Sequence, residues 1–271
     1  MAFSISNIPV RSEKPRNTGI TLALDKGYSI RQAEDFCDAS AAYTDFVKFG
    51  WGTALVTNKL EEKIKVYQDH NIPVYFGGTL FEAYLMRDEL DVYVRMLKDL
   101  GIQHVEVSNG TILLSQDRKL DIIRQLNEDF VVFSEVGSKN PNEIIAPYKW
   151  VNMIKSELEA GAWKVITEAR EGGNVGVFRP NGEVRSGLID EITDLISKDD
   201  LIFEAPKKEQ QVWFIRKFGS NVNLGNIAPA DVISVETLRL GLRSDTLFDF
   251  FNVDNEPLMS RSKPEKSHRK A

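Results

Sequence analysis

Cysteine and histidine are scarce in this sequence, and their scarcity excludes several kinds of site. Cys37 is the only cysteine among 271 residues, so no disulfide can form within the chain. We expect its thiol to be a buried structural group rather than a reactive one. The three histidines, His70, His104 and His268, have no ligand spacing, which argues against a histidine-based zinc site and against a Ser-His-Asp triad.

Long apolar runs are also missing. No segment is apolar for long enough to span a bilayer, and the first residues lack the uninterrupted apolar stretch of a secretory signal, so we expect a cytoplasmic protein without membrane association. The net charge of −6 argues against nucleic acid as a partner. A Walker-type P-loop is absent, and no GxGxxG motif follows a strand-like run.

The chain does contain a regular alternation of short apolar runs and longer stretches of helical period. This alternation is typical of parallel strands joined by helices. Eight such runs predict an α/β fold of the (β/α)8 TIM-barrel type in a single domain, with an open doubly wound sheet as the alternative. The runs are GITLALD (19–25), TDFVKFG (44–50), IPVYFGG (72–78), HVEVSNG (104–110), DFVVFSEVG (129–137), WKVITEA (163–169), DLIFEAP (200–206) and NVNLGNI (221–227).

The domain boundaries follow from where this pattern begins and ends. We assign 16–251 to the barrel, 1–15 to an N-terminal extension and 252–271 to a flexible polar tail, which contains two prolines and shows no periodicity. Asn58 and Ser115 stand where helix N-caps are expected, and Gly101 and Gly161 where helices are expected to end.

Four of the apolar runs carry a glutamate where alternation turns the side chain into the barrel. They are Glu106, Glu135, Glu168 and Glu204, each flanked by residues that should face the helices. In barrels the C-terminal ends of the strands form the active site. Carboxylates that converge there repel one another unless cations neutralise them.

Cations are available beside these glutamates. Lys48 lies within the second strand, and Lys26, Lys139, Arg170 and Lys207 lie at or just beyond strand ends. A hard divalent ion such as Mg²⁺, which prefers oxygen ligands, would complete the charge balance. For any single residue, an internal salt-bridge network without chemistry is the alternative interpretation, although buried ion pairs alone are poor stabilisers.

Glycine-rich turns supply candidate donors for an anion. Gly77-Gly78-Thr79, Gly172-Gly173 and Gly225-Asn226 each follow a predicted strand, and the backbone N–H groups of such turns can bind phosphate. Gly225 and Asn226 follow the eighth strand, where barrels often bind phosphate. A glycine pair can also be only a turn.

Six motifs in order along the chain resemble the phosphosulfolactate synthase family, over roughly 16–251. They are LDKG (24–27), DFVKFGWGT (45–53), GGTLFE (77–82), SEVGSK (134–139), EAPKKEQQ (204–211) and NLGNIA (223–228). The resemblance implies a barrel enzyme of carbon–sulfur lyase type that uses Mg²⁺ to add sulfite to phosphoenolpyruvate, giving (2R)-phospho-3-sulfolactate, an early intermediate of coenzyme M. It also implies a homo-oligomer.

The resemblance and the charge pattern together suggest roles for individual residues. Glu106, Glu135 and Glu168 are expected to hold or orient the metal, directly or through water. Lys139 is the first candidate for the proton donor, with an anion clamp as its alternative role, and Lys48 is the second candidate. The expected anion-binding groups are Lys26, Arg170, Lys207, Gly225 and Asn226. Arg239 and Arg243 also match the family pattern, but they lie on the last helix, which runs away from the mouth of the barrel. Subunit contact is the alternative role for both, and the expected one for Arg243.

The chain departs from the family pattern at several positions. Asn109-Gly110 replaces Asp-Gly after the fourth strand, Ala169 replaces the glycine of Glu-Gly-Arg after the sixth, and the following loop lacks an expected lysine. These departures leave two other interpretations open. One is a barrel enzyme that uses another nucleophile on a similar phosphorylated acid. The other is a non-catalytic, stress-related member of the family.

Overall fold

The computed structural model describes residues 5–139 and 144–250. Within them lie eight parallel strands, and each of the eight predicted apolar runs contains one. The strands are β1 (Thr21–Asp25), β2 (Phe46–Phe49), β3 (Val74–Phe76), β4 (His104–Val107), β5 (Val131–Val136), β6 (Lys164–Thr167), β7 (Leu201–Glu204) and β8 (Leu224–Ile227).

Helices connect the strands and cover the outside of the sheet. They are α1 (Ile30–Ser40), α2 (Thr53–Val56), α3 (Leu60–Asp69), α4 (Gly78–Leu85), α5 (Leu90–Asp99), α6 (Gln116–Leu126), α7 (Pro147–Glu159), α8 (Ser186–Thr193), α9 (Lys208–Phe218) and α10 (Val232–Arg239). No described helix is long and apolar enough to cross a membrane.

The sheet forms a nearly closed barrel. Its hydrogen-bonded order is β3-β2-β1-β8-β7-β6-β5-β4, and β3 and β4 lie side by side without a backbone ladder in the described chain. The predicted (β/α)8 TIM-barrel fold in a single domain is therefore confirmed, and the open doubly wound alternative is wrong. The domain boundaries remain predictions, and the tail with His268 lies outside the described residues.

Side-chain alternation separates two apolar layers, as strand geometry requires. A smaller cluster fills the barrel interior and includes Leu22, Phe46, Phe133 and Ile202. The larger cluster lies between the strands and the helices. Because the aromatic rings occupy the lower interior, the upper layer at the C-terminal strand ends is left to polar side chains.

The helix boundaries agree with the sequence pattern except at one N-cap. The side chain of Ser115 caps α6 by accepting from the N–H of Arg118, and Gly101 and Gly161 follow helix ends with positive φ, as predicted. The N-cap predicted at Asn58 is wrong, because α3 begins after Lys59, whose left-handed backbone (φ 55°) makes the turn into the helix.

The N-terminal end of the barrel is closed by a buried arginine. Arg239 is 0 % exposed and donates to the carbonyl oxygens of Ser220, Val222 and Ile20 at 2.6–3.1 Å. The alternative of a subunit contact for Arg239 is therefore wrong, since its guanidinium donates to carbonyls inside the chain. Arg243 is partly exposed, with Asp245 at 3.9 Å, and its predicted contact remains untested.

Some buried charges belong to the helix layer and serve the fold. Lys63 pairs with Asp25 at 2.6 Å, and Lys119 pairs with Glu157 at 2.9 Å; all four side chains are at most 1 % exposed. Cys37 is buried as predicted, and burial raises the pKa of its thiol to about 11, so the thiol is protonated and unreactive at neutral pH.

Candidate active site

A cavity of about 570 Å³ opens at the C-terminal ends of the strands. Residues at or just beyond the C-terminal ends of all eight strands line it, so one loop layer surrounds one central space. The lining side chains that matter for chemistry are Lys48, Trp51, Glu106, Glu135, Lys139, Glu168, Arg170, Glu171, Asn174, Glu204 and Asn226.

Lys48 of β2 lies at the centre of the cavity floor. Its Nζ is 3.0 Å from Glu106 Oε2, 3.2 Å from Glu204 Oε1 and 3.8 Å from Glu135 Oε2. Burial by itself would lower the pKa of Lys48, but Glu106, Glu204 and Glu135 outweigh burial and raise it well above the ordinary value. The side chain is therefore a permanent cation that joins three strands.

Lys139 forms a second cationic centre at the end of the β5 segment. Its Nζ lies 2.9 Å from Glu135 Oε1 and 3.6 Å from Glu168 Oε2. Burial would lower the pKa of Lys139, yet Glu135 and Glu168 outweigh it and raise the pKa. Burial would likewise raise the pKa of Glu135, but Lys139 and Lys48 hold it below its ordinary range. Lys139 and Glu135 thus form a true ion pair at neutral pH.

The remaining carboxylates are less well neutralised. Burial raises the pKa of Glu204 to about 7 in spite of Lys48, and burial with Glu135 and Glu204 raises that of Glu168 well above its usual range. The four inward glutamates outnumber the two buried lysines in the cavity. This electrostatic imbalance favours the binding of a further cation.

The donor oxygens of the site were tested for their fit to Mg²⁺. Within 5–139 and 144–250, no three carboxylate, histidine or cysteine side chains are arranged to hold a metal directly. Glu168 Oε2 and Asn226 Oδ1 are nevertheless buried and accept no hydrogen bond from the described chain. Because Mg²⁺ typically keeps several waters and takes only one or two carboxylates, these oxygens fit a water-rich magnesium site. The ligand set Glu106, Glu135 and Glu168 remains a prediction.

Gly78 allows the end of β4 to approach α4. Its N–H donates to Glu106 Oε1 at 2.5 Å, and a Cβ at this position would lie 2.3 Å from Ser108 Cβ and 2.8 Å from Glu106 Oε1. Only glycine fits there. In the Gly77-Gly78-Thr79 turn, this N–H group is already used to orient the Glu106 carboxylate, so it is not available to bind a substrate anion.

Three non-glycine residues of the cavity have left-handed backbones. They are Trp51, Arg170 and Asn226, with φ of 48–55°. Such conformations cost free energy in non-glycine residues and are concentrated at functional sites. Asn226 lies within the register shift between β1 and β8, where the pairing passes from Thr21–Leu224 to Ala23–Ile227, and its side chain lines the cavity.

The other predicted anion-binding residues lie at or beyond the edge of the cavity. Gly225 does not line the cavity, and a Cβ there would meet the Ile202 side chain. Lys26 is at the rim and pairs with Glu171 at 2.9 Å. Lys207 borders a separate groove beside Trp213. The structure therefore brings Arg170 and Asn226 to the central cavity with the lysines and glutamates, but it does not bring Lys26 or Lys207 there.

Two of the departures from the family pattern, at Asn109 and Ala169, do not change the side chains that line the central cavity. Asn109 lines a neighbouring cavity and donates to the Leu114 carbonyl at 3.4 Å, so its side chain is not part of the site. Ala169 is buried in the helix-side core, and its backbone N–H donates to Glu204 Oε2 at 2.9 Å. Neither substitution removes a group that faces the central space.

The contacts of two acidic residues, Glu204 and Glu82, are seen only in the structure. Glu204 was predicted to point inward but received no role, although it links Lys48 to the β6 end. Glu82 stands in the GGTLFE motif, yet it is 2 % exposed and hydrogen-bonded to Ser108. In the sequence, Glu82 is the one charged residue of the otherwise apolar helix α4, and this contrast could have indicated a functional role.

The fold and the cavity define a TIM-barrel protein with a buried lysine–glutamate site at the C-terminal ends of its strands. Residues 9–245 match the model of the (2R)-phospho-3-sulfolactate synthase family, and the chain belongs to that family.

Individual relatives agree with this assignment. The chain is 45 % identical to phosphosulfolactate synthase of Bacillus subtilis (strain 168), over 91 % of this chain and 98 % of the relative. It is 42 % identical to phosphosulfolactate synthase of Methanothermobacter thermautotrophicus, over 88 % and 95 % of the two chains. The crystal structure of 3-hexulose-6-phosphate synthase from Salmonella typhimurium superposes with a TM-score of 0.53 at 12 % identity, covering 82 % of this chain and 99 % of that one; that likeness concerns the fold alone.

Proposed function

We propose that this protein catalyses the Mg²⁺-dependent addition of sulfite to phosphoenolpyruvate, giving (2R)-phospho-3-sulfolactate. The observation that carries the proposal is the pair of lysines, the buried Lys48 and the partly exposed Lys139, among inward glutamates at the strand ends, in a chain that belongs to the phosphosulfolactate synthase family. Both substrates are anions, and the ammonium groups of these lysines, together with a bound Mg²⁺, would supply the positive charge that binds them.

The reaction forms one carbon–sulfur bond and one carbon–hydrogen bond. The sulfur lone pair of sulfite attacks the methylene carbon of phosphoenolpyruvate, and the π electrons of the double bond move toward the carboxylate. A proton then adds to the carbon that bears the phosphate. The phosphate ester stays intact, so no group leaves, and the site must stabilise the negative charge that develops on the carboxylate.

Protein groups for binding the anions surround the central space. Arg170 and Asn226 line the cavity at the ends of β6 and β8, where the guanidinium and the amide N–H₂ group could donate to the phosphate and carboxylate. Lys48 stays cationic because of its carboxylate neighbours, and it offers positive charge from the floor. Together they would hold phosphoenolpyruvate with its methylene carbon open to sulfite.

The magnesium ion of the proposal would be held by Glu168 and Glu106, through water where direct contact is not made. When bound, it would supply positive charge to the developing enediolate. Glu135 is less available as a ligand, since Lys139 and Lys48 already neutralise it.

Lys139 is the proposed proton donor. Its side chain is 16 % exposed and lines the cavity, so it can reach a bound substrate. Because Glu135 and Glu168 raise its pKa in spite of burial, it carries a proton at neutral pH. In the alternative role, it would clamp an anion without giving up a proton. A Lys139→Ala variant assayed in D₂O separates the two roles. If Lys139 is the donor, the variant should no longer place deuterium on the carbon but should still bind the substrate; if Lys139 is a clamp, substrate binding should weaken.

The direct test is phosphorus NMR of the purified protein with phosphoenolpyruvate, sulfite and Mg²⁺. We expect a new phosphate ester that requires both sulfite and the metal, and Lys139→Ala should reduce its formation about 1000-fold. Lys98→Ala, which removes an exposed lysine paired with Asp129 on the outside of the barrel, is the matched control. Binding of phosphoenolpyruvate without any product would contradict the proposal.

A further inference from the structure

Glu82 is a buried carboxylate that the proposed chemistry does not use. It lies on α4 within the GGTLFE motif, is 2 % exposed, and does not line the central cavity. No lysine or arginine of the described chain lies within ion-pair distance of it. A buried charge without a cation is costly, so its contacts should explain why it is there.

The contacts of Glu82 all lead to the turn that follows β4. Its Oε1 accepts from the Ser108 hydroxyl at 2.9 Å and from the Thr111 backbone N–H at 3.1 Å. Its Oε2 has no partner in the described residues. One oxygen of this carboxylate thus fixes both ends of the segment 108–111.

This segment in turn holds Lys139. The Lys139 ammonium donates to Ser108 Oγ at 3.3 Å, and the Lys139 backbone N–H donates to the Gly110 carbonyl at 3.2 Å. Gly110 also packs against the side chain, since a Cβ there would lie 3.1 Å from Lys139 Cγ and Cδ. The ammonium, the methylene chain and the backbone N–H of Lys139 therefore all contact the 108–111 segment that Glu82 holds in place.

Ser108 is the joint between the two carboxylates. Its hydroxyl lies 2.9 Å from Glu82 Oε1 and 2.8 Å from Glu135 Oε1, but it has only one proton to give. Glu135 already receives the Lys139 ammonium, whereas Glu82 receives none. Donation to Glu82 leaves the Ser108 lone pairs facing Lys139.

We propose that Glu82 is a positioning residue. Through Ser108 and the 108–111 turn, it fixes the position of the Lys139 ammonium in the cavity. The inference deepens the proposed function and rests on it. It assigns a role to a motif residue outside the cavity, and it holds whether Lys139 gives a proton or clamps an anion. Because Glu82 does not line the cavity, its loss should lower turnover only to the extent that Lys139 is displaced.

A double-mutant cycle tests this coupling. Glu82→Ala should lower the turnover with phosphoenolpyruvate and sulfite by about 10- to 100-fold, as is usual for residues that orient an active group. In the Lys139→Ala background the same substitution should cost less than about twofold, because the group it positions is gone. Additive losses in the two backgrounds would overturn the inference.

A conservative variant and a distant control distinguish positioning from general damage. Glu82→Gln keeps an Oε1 acceptor for both bonds and changes only the unpartnered oxygen, so it should restore turnover to within about fivefold of wild type. Glu236→Ala breaks a partly buried pair with Arg11 at the other end of the barrel, at 2.9 Å, and should lower the melting temperature without changing turnover per folded molecule.

A second measurement does not need activity. Reductive ¹³C-methylation of the lysines gives Lys139 its own NMR resonance, which is identified by its absence in Lys139→Ala. We expect this resonance to shift in Glu82→Ala and to keep its position in Glu236→Ala. An unmoved resonance would refute the positioning role even if wild-type protein made no product, whereas a wild type without product would refute only the proposed reaction.

Discussion

The Lys48 ammonium lies 3.2 Å from Oε1 of Glu204, although β2 and β7 are separated by β1 and β8 in the sheet. The pair therefore crosses the barrel interior instead of linking neighbouring strands. The second oxygen of Glu204 accepts the Ala169 N–H at 2.9 Å, so one carboxylate couples the floor of the cavity to the loop that carries Glu168 and Arg170.

Glu204 should leave a signature in the pH dependence of stability. Burial raises its folded pKa to about 7 from an ordinary 4.5, so the folded state binds more protons than the unfolded state between these values. The contribution of this group to stability is complete below pH 4.5 and is lost as pH rises toward 7, by about 3 kcal/mol in total. Urea unfolding of wild type and Glu204→Gln at several pH values measures the difference, which should be absent if Glu204 titrates normally.

Removing the cation at the centre should destabilise the barrel. Lys48→Met leaves Glu106 and Glu204 buried without their partner, and we expect a loss of about 3 kcal/mol in the free energy of unfolding at pH 8. Because protonated carboxyls need no cation, the loss should shrink at pH 5. Denaturant titrations at both pH values provide the measurement. An equal loss at the two values would mean that Lys48 stabilises by packing alone.

Gly78→Ala should disturb both stability and activity. The new Cβ would lie 2.3 Å from Ser108 Cβ, so the end of β4 must move, at a cost of about 2 kcal/mol and with loss of most turnover. Gly187→Ala in α8 is the matched control, since its Cβ meets nothing within 4 Å. That control should be neutral or stabilising by up to about 1 kcal/mol. Thermal melts and initial rates of both variants distinguish steric exclusion from simple loss of glycine.

Chelation should remove activity reversibly if Mg²⁺ is the cofactor. We expect protein treated with EDTA to lose turnover and to regain it with Mg²⁺. Isothermal titration of Mg²⁺ should show at least about 10-fold weaker binding in Glu168→Gln. Retained turnover after exhaustive chelation would exclude the metal from the reaction.

Asn226→Ala should act on substrate binding more than on turnover. The Asn226 side chain lines the cavity and its amide N–H₂ group could donate to the anionic substrate, so its loss should raise KM for phosphoenolpyruvate about 10-fold and leave kcat within about threefold. Steady-state kinetics at saturating sulfite provide the values. If kcat fell and KM stayed constant, Asn226 would belong to the reacting centre instead.

The sequence predicted those site residues whose direction depends on strand alternation. Lys48, Glu106 and Glu135 face inward because every second residue of a strand does so, and apolar neighbours fix the parity. Lys139 follows from its place just after β5. These residues could be located without any knowledge of helix packing.

Residues whose position depends on irregular backbone or distant contacts could not be predicted in this way. Asn226 reaches the cavity because its left-handed backbone lies within the register shift between β1 and β8, which breaks alternation. Glu82 depends on a hydrogen bond across 26 positions of sequence, and Arg239 on carbonyls from both ends of the chain. Lys207 stands beyond β7, where the loop turns it toward a separate groove.

The missing ladder between β3 and β4 places the barrel's seam beside the site. At its upper end the seam is bridged by the Gly78–Glu106 and Glu82–Ser108 hydrogen bonds, so side chains replace the backbone pairing found elsewhere. Such bonds can break one at a time without unfolding the sheet. Amide protons along these two strands should therefore exchange with solvent through local opening, and a ligand that tightens the cavity should slow that exchange first.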